Sequence, residues 1–277
     1  MIRAIRRSVG TLGAGVILLV FIVFAAAPLL VLVFNSLKTR TELALNPIGP
    51  PSSPQFGNFL EAWIESNFLL HASNSAVLVA GTVGLILTLG GMAAYSLARL
   101  NLPGGVVVMT YMISLTAFPV WLYLVPLFFQ WRELGLLNSL VGLIIIYTAI
   151  NSPLAIFLLR SFLVQIPKEL EEAAEMDGAG RWRILLQIIL PISWTSFLTI
   201  GLVVAVAVWG EFQIAFVMLQ DKSKYPITTS FLSFAESYGQ DWTLTSAVAV
   251  MAILPIIALF VIFQRRFTEG LTQGSLK

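Results

Sequence analysis

Residues 9–34 read VGTLGAGVILLVFIVFAAAPLLVLVF, and no charged residue falls between Arg7 and Lys38. A helix needs about 20 predominantly apolar residues to cross the hydrocarbon core of a bilayer, so this stretch is long enough. Arg3, Arg6 and Arg7 precede it and Ala25-Ala26-Ala27 resembles a cleavage site. A secretory signal core, however, runs only about 7–15 residues, and the expectation is an uncleaved span. Moving outward, the charges divide the rest of the chain in the same way. Apolar segments at 76–98, 106–129, 140–159, 192–219 and 247–263 each lie in a gap between charges, with 192–219 interrupted by Glu211. The reading is an all-α polytopic membrane protein with six spans, forming a single transmembrane domain over 1–277.

Composition agrees. Of 277 residues 58% are hydrophobic and 11% charged, and mean hydropathy is +0.90; soluble domains are nearer 45–50% apolar and 25% charged. With no cysteine and one histidine, His71, the chain has no thiolate nucleophile, disulfide framework or His cluster. No metal site is expected. A net charge of +2 gives no reason to expect nucleic acid as a partner.

Lys and Arg favour cytoplasmic loops. Arg3, Arg6, Arg7, Arg99, Arg160, Lys168, Arg181, Arg183, Arg265, Arg266 and Lys277 fall on one side of the six spans. Lys38, Arg40, Arg132, Lys222 and Lys224 fall on the other. Both termini are therefore expected in the cytoplasm. The first outside loop, 36–73, carries Pro47, Pro50, Pro51 and Pro54, which favour irregular, extended chain. Asn58–Leu70 then reads as an amphipathic segment along the membrane surface, with His71 at the membrane edge. A second polar outside loop covers 220–244 and contains Tyr225-Pro226 and Tyr238-Gly239.

The one long inside loop, 160–190, contains IPKELEEAAEMDGAG at 166–180. Proline suits a first helical position, acids suit the early turns, and Gly178 or Gly180 supplies a stop. The expectation is a cytoplasmic helix of about three turns, with Leu170, Ala173 and Ala174 on one face. Two alanines allow another surface to approach closely, and the flanking glutamates can pair with basic groups on a partner. A solvated acidic linker reads equally well from these residues alone.

Glu172-Ala173-Ala174, Asp177-Gly178-Ala179 and Ile188-x-Leu190-Pro191 together resemble the EAA signature of permease subunits in ATP-binding-cassette importers. Asn74-Ser75, Gly135-Leu136-Leu137-Asn138, Ile166-Pro167-x-Glu169-Leu170 and Leu254-Pro255 are similar to the carbohydrate-uptake group, on the side of the maltose transporter's smaller permease subunit. Phe263-Gln264-Arg265-Arg266-Phe267, Gly270-Leu271 and Gly274 extend the likeness to the C-terminus, where Gly274-Ser275-Leu276-Lys277 departs slightly from the family's usual tail. The resemblance implies a type I importer permease in a bacterial or archaeal cytoplasmic membrane, moving a carbohydrate or polyol. Its implied partners are a second permease subunit, two copies of a cytoplasmic ATPase and an external sugar-binding protein. It also implies that the signature helix enters a groove on the ATPase, with Ala173 and Ala174 packed closely. Glu172 would pair with an arginine there, and Gly178 would end the helix before Ala179. No G-x-x-x-x-G-K-[ST] loop occurs, so ATP is expected on the partner chain, with no cofactor here and no enzymatic activity in this subunit.

Glu211 is the only acid or base inside a span, and such residues face an interior or cavity by default. Val208-Trp209-Gly210-Glu211-Phe212 is similar to a Trp-Asn-Asp/Glu-Phe stretch of sugar permeases, with Gly210 in place of Asn. Glu211, Trp209 and Asn151 are thus candidates for the translocation path. Helix packing is the other reading for Glu211, and a bond to a neighbouring helix the other for Asn151. Pro119 and Pro153 are expected to interrupt the third and fourth spans. A self-contained transporter or channel using Glu211 for ion coupling is the alternative, although the expected internal repeats are not visible. A membrane-embedded enzyme would need a second acid or a base within the spans.

Overall fold

The computed structural model describes residues 2–237 and 241–273, with side chains described over 15–237 and 241–264. The side chains of Arg3, Arg6, Arg7, Arg265, Arg266 and the Phe267 to Leu271 stretch, the Tyr238-Gly239 pair and the tail from Gly274 lie outside the described residues. All regular structure among the described residues is helical. In order the helices are α1 (Ile2–Ser36), α2 (Arg40–Leu45), α3 (Gly57–Glu65), α4 (Phe68–Leu85), α5 (Gly91–Arg99), α6 (Gly105–Thr116) and α7 (Trp121–Glu133). Then follow α8 (Leu140–Leu163), α9 (Glu169–Met176), α10 (Arg181–Ile184), α11 (Leu190–Trp209), α12 (Gln213–Met218), α13 (Ile227–Ser237) and α14 (Trp242–Gln273).

Among the described residues, five helical stretches are long and apolar enough to cross a membrane. α6 and α7, bent by 99° to each other, pass the same test only as a pair and make a sixth span when taken together. The bend falls at 117–120, around Pro119, where proline cannot donate and disfavours helix at the residue before it. Pro153, expected to interrupt the fourth span, lies inside one continuous helix, α8. The second span, Phe68–Arg99, is longer than the apolar segment 76–98 and fills almost the whole gap between Glu65 and Arg99; within it α4 and α5 join through a π turn at Ile86–Gly90. The fifth, Arg181–Trp209, contains a second π turn at Leu185–Ile189. That turn includes Gln187, whose carbonyl Pro191 cannot serve.

The chain forms two compact units. One comprises residues 1–68 and 231–254. Here Val16 to Phe24 of α1 are 57–79% exposed, an apolar surface that a bilayer, unlike water, accommodates without cost. At the end of α1, Lys38 is fully buried; its ammonium donates to Asn35 Oδ1 and to the Asn46 carbonyl at 2.7 Å. Asn58 Nδ2 donates to the Ser36 and Lys38 carbonyls, both 2.9 Å, tying α3 back to α1. The proline-bearing stretch 46–56 is irregular, as expected. The amphipathic segment is shorter than 58–70: Asn67 adopts φ 48°, a left-handed conformation Asn tolerates. This ends α3, and Phe68 to Leu70 belong to α4. Arg40 closes the unit with two contacts to Asp241 Oδ2. Burial raises the Asp241 carboxyl, but donors from Thr243, Leu244 and Arg40 outweigh it and hold it below the usual aspartate value.

The other unit comprises residues 69–230 and 255–277. Its core centres on α8, against which α5, α6 and α11 pack; Leu143, Tyr147, Leu159, Ile86, Ile189, Phe197 and Ile200 are buried there. α5 and α11 approach closely at Gly91, where a Cβ would lie 2.7 Å from the Phe197 ring. Without hydrophobic drive in lipid, such small-residue contacts hold helices together.

Candidate functional site

At one end of the second unit the loop between α8 and α10 folds as the acidic segment dictates. α9 has eight residues, about 12 Å at 1.5 Å per residue, a turn shorter than expected. It starts at Glu169 rather than Pro167, with the Glu171 and Glu172 amides on the Lys168 carbonyl. Its end follows the glycine reading. Gly178 has φ +78°, its amide meets the Glu175 carbonyl, and that of Ala179 meets the Ala174 carbonyl at 2.9 Å. This is a Schellman closure.

The expected shared face of α9 is divided. Glu172, Ala173, Asp177 and Gly178 are exposed and Leu170 is 42% exposed. Ala174 and Ala179 are half-buried and pack on the core of their own chain, the turn at Gly178 having folded them inward. Ala174 is therefore not free to offer its whole side to a partner as Ala173 is. Glu171, expected only as a flanking charge for a partner, pairs instead within the chain. Its Oε1 lies 2.6 Å from Arg99 Nε and its Oε2 accepts from Tyr95 Oη at 3.2 Å. Sequence reading missed this pair, because nothing local links the last residue of α5 to the third residue of α9.

At the opposite end of this unit, α11 stops at Trp209 rather than running on to 219. The Glu211 carboxylate turns back to cap α12: Oε1 accepts from the Ile214 amide at 2.7 Å and Oε2 from that of Ala215 at 3.2 Å. Tyr147, 2% exposed, donates its hydroxyl to Glu211 Oε2 at 2.5 Å. The Glu211 carbonyl accepts from Thr228 Oγ1 at 2.7 Å. An acid at membrane depth is costly, and four hydrogen bonds to one residue explain why it sits where the helix breaks. Glu211 and Trp209 are half-buried. Asn151 Nδ2 donates to the Tyr147 carbonyl of its own helix at 2.8 Å rather than to a neighbouring helix. The sequence candidates thus fall into two separate places, the α9 loop and the Glu211 break.

The stretch after the break is clamped. Asn138, at φ 55°, accepts on Oδ1 from the Gln220 and Asp221 amides at 3.1 and 3.0 Å, and Lys224 Nζ donates to its carbonyl. Asn74 Nδ2 donates to the Ser223 and Tyr225 carbonyls, and Ser75 Oγ accepts from the Ile227 amide. His71 is buried rather than interfacial, its Nδ1 2.8 Å from the Tyr225 carbonyl. Asn138→Ala removes one acceptor oxygen and with it two hydrogen bonds, each worth about 1 kcal/mol. Amide exchange at Gln220 and Asp221, followed by mass spectrometry, should accelerate by about tenfold or more; unchanged exchange would refute the clamp.

Residues 82–273 match the family of binding-protein-dependent transport system inner membrane components. The chain belongs to that family. The permease is thus a multi-pass subunit of the inner membrane and a transport component of a system that works with a binding protein. It is 32% identical to the diacetylchitobiose uptake system permease protein of Streptomyces coelicolor, over 94% of this chain and 87% of that one. It is 34% identical to the sulfoquinovosyl glycerol transport system permease protein of Agrobacterium fabrum, over 90% and 88%. In fold it is similar to a chain from the crystal structure of a bacterial ABC transporter involved in importing the acidic polysaccharide alginate. That likeness has a TM-score of 0.77 and 24% identity and covers 94% of this chain and 97% of the other.

Proposed function

We propose that this permease is one of two membrane subunits of an ATP-driven importer for a carbohydrate or polyol. Two copies of a cytoplasmic ATPase drive it, and an external sugar-binding protein delivers the solute. The observation that carries the reading is α9: a short helix presenting Glu172 and Ala173 to solvent while Ala174 and Glu171 hold it to the membrane helices. Glu172, Ala173, Asp177 and Gly178 form the face offered to the ATPase, and Ala174 and Ala179 seat that face on the permease. ATP binds on the ATPase, both termini lie in the cytoplasm, and residues 1–277 work as one transmembrane domain. Two relatives bearing names of sugar-type solutes, diacetylchitobiose and sulfoquinovosyl glycerol, support the solute class. Trp209, Asn151 and Glu211 belong to the translocation region, where Glu211 acts through the shape of the helix break it caps. Nothing observed favours a self-contained ion-coupled transporter, since the Glu211 carboxylate is engaged by three donors of its own chain.

The test is the composition of the native complex. Tagged chain purified in mild detergent should bring down a second six-span permease and a cassette ATPase at two copies, by mass spectrometry of the intact assembly. Vesicles holding that complex should take up labelled oligosaccharide only with ATP inside and binding protein outside. Recovery of the chain with no ATPase would overturn the proposal.

A further inference from the structure

We infer that the Glu171–Arg99 pair is the strut through which motion of α9 enters the second span, which makes both positioning residues for transport. The inference rests on the coupling reading of α9. The Arg99 side chain is 4% exposed and that of Glu171 13%, so water does not mediate between them. Arg99 is the last residue of α5 and uses its fork twice, with Nε on Glu171 and Nη2 on the Ile166 carbonyl at 2.7 Å. Tyr95, one turn earlier on α5, adds its hydroxyl to Glu171 Oε2. Arg160, near the end of α8, donates Nε to the Leu97 carbonyl at 3.1 Å. The end of α5 is therefore joined to α9, to the chain entering α9 and to α8.

A charged pair out of water is an uneconomical way to gain stability, since apolar residues of the same shape serve as well or better. What the close ion pair adds, with Arg99 Nη2 held on the Ile166 carbonyl and the Tyr95 hydroxyl on Glu171 Oε2, is a fixed geometry. Here that geometry matters because the other ties of α9 to the helix bundle are the turns at 164–168 and Gly178 and the small apolar seat of Ala174 and Ala179. A push on α9 without the pair would bend those turns. With it, the push reaches α5, which abuts α11 at Gly91 and Phe197 and packs on α8.

Removing one charge strands the other in a buried site, so the deciding variant neutralises both, Glu171→Gln with Arg99→Gln. In the reconstituted full complex the expected result is an unchanged ATPase stoichiometry and ATP hydrolysis near the native rate. Uptake is lower, so that ATP hydrolysed per solute imported rises about 5-fold or more. A native ratio in the assembled double variant overturns the strut, because a merely structural pair lowers hydrolysis and uptake together. If the double variant does not assemble, Arg99→Lys decides. Lysine keeps the charge and loses the fork, and an assembled complex with a raised ratio supports the strut while a native ratio overturns it. Absence of ATPase from the native complex would instead sink the coupling reading, so the native control separates the two failures.

Discussion

Ala173→Trp leaves the permease inserted and paired with its partners but cuts solute uptake by at least about tenfold while ATP hydrolysis continues. Ala173 stands exposed on α9 between Glu172 and the half-buried Ala174, where only a methyl group separates an approaching surface from the helix backbone. A large side chain there holds the ATPase off by several ångströms, and a shift of that size in a coupled geometry costs orders of magnitude. The neighbouring position behaves differently. Ala174 packs on the core of its own chain, so Ala174→Trp overfills it, at a cost of about 1–3 kcal/mol. That variant should lose assembled complex and lower the thermal midpoint. Uptake per assembled complex, measured in vesicles against ATP hydrolysed, distinguishes the two. Native uptake in an assembled Ala173→Trp complex would rule out a close-packed docking face at this position.

Glu211→Ala has the second large effect, and it falls on stability. The change removes the acceptor of the Ile214 and Ala215 amides and of the Tyr147 hydroxyl. Losing the side-chain acceptor of first-turn amides costs about 1 kcal/mol, and a buried hydroxyl left without a partner about 1–3 kcal/mol. The expected result is a lower melting temperature and less intact complex in detergent. Glu211→Gln keeps a carbonyl oxygen for the α12 amides, and the Tyr147 hydroxyl can turn to accept from the new amide nitrogen. It should therefore retain most of the assembly and most of the uptake. Were Glu211→Gln fully assembled but transport-dead, the carboxylate charge would belong to the solute path instead of the cap.

The span count was legible because crossing a bilayer imposes a length and a polarity that charges interrupt. Where the helices actually end was less so. α11 stops at Trp209 and the second span begins at Phe68, ahead of His71, because backbone hydrogen bonds rather than hydropathy set those limits. The break at 210–212 lies in an apolar stretch, and only the capping of Ile214 and Ala215 by Glu211 places a new helix start there. Likewise Asn74-Ser75 and Gly135 to Asn138 stand out in the sequence as parts of a family pattern. Their work, holding residues 220–227, needs partners some 80 to 150 residues away.

By itself, then, the sequence determined a six-span helical membrane protein with an acidic helix in the loop at 160–190. Period, charge placement and the Gly178 stop are local properties that need no partner to act. Only the tertiary structure decided which side of α9 faces out, that Glu171 is spent on Arg99, and that Glu211 caps a helix against Tyr147. Those are choices between equally polar residues on one short segment. They are made by which buried donor or acceptor the fold brings within hydrogen-bonding distance, because in low dielectric an unmatched charge is the costlier outcome.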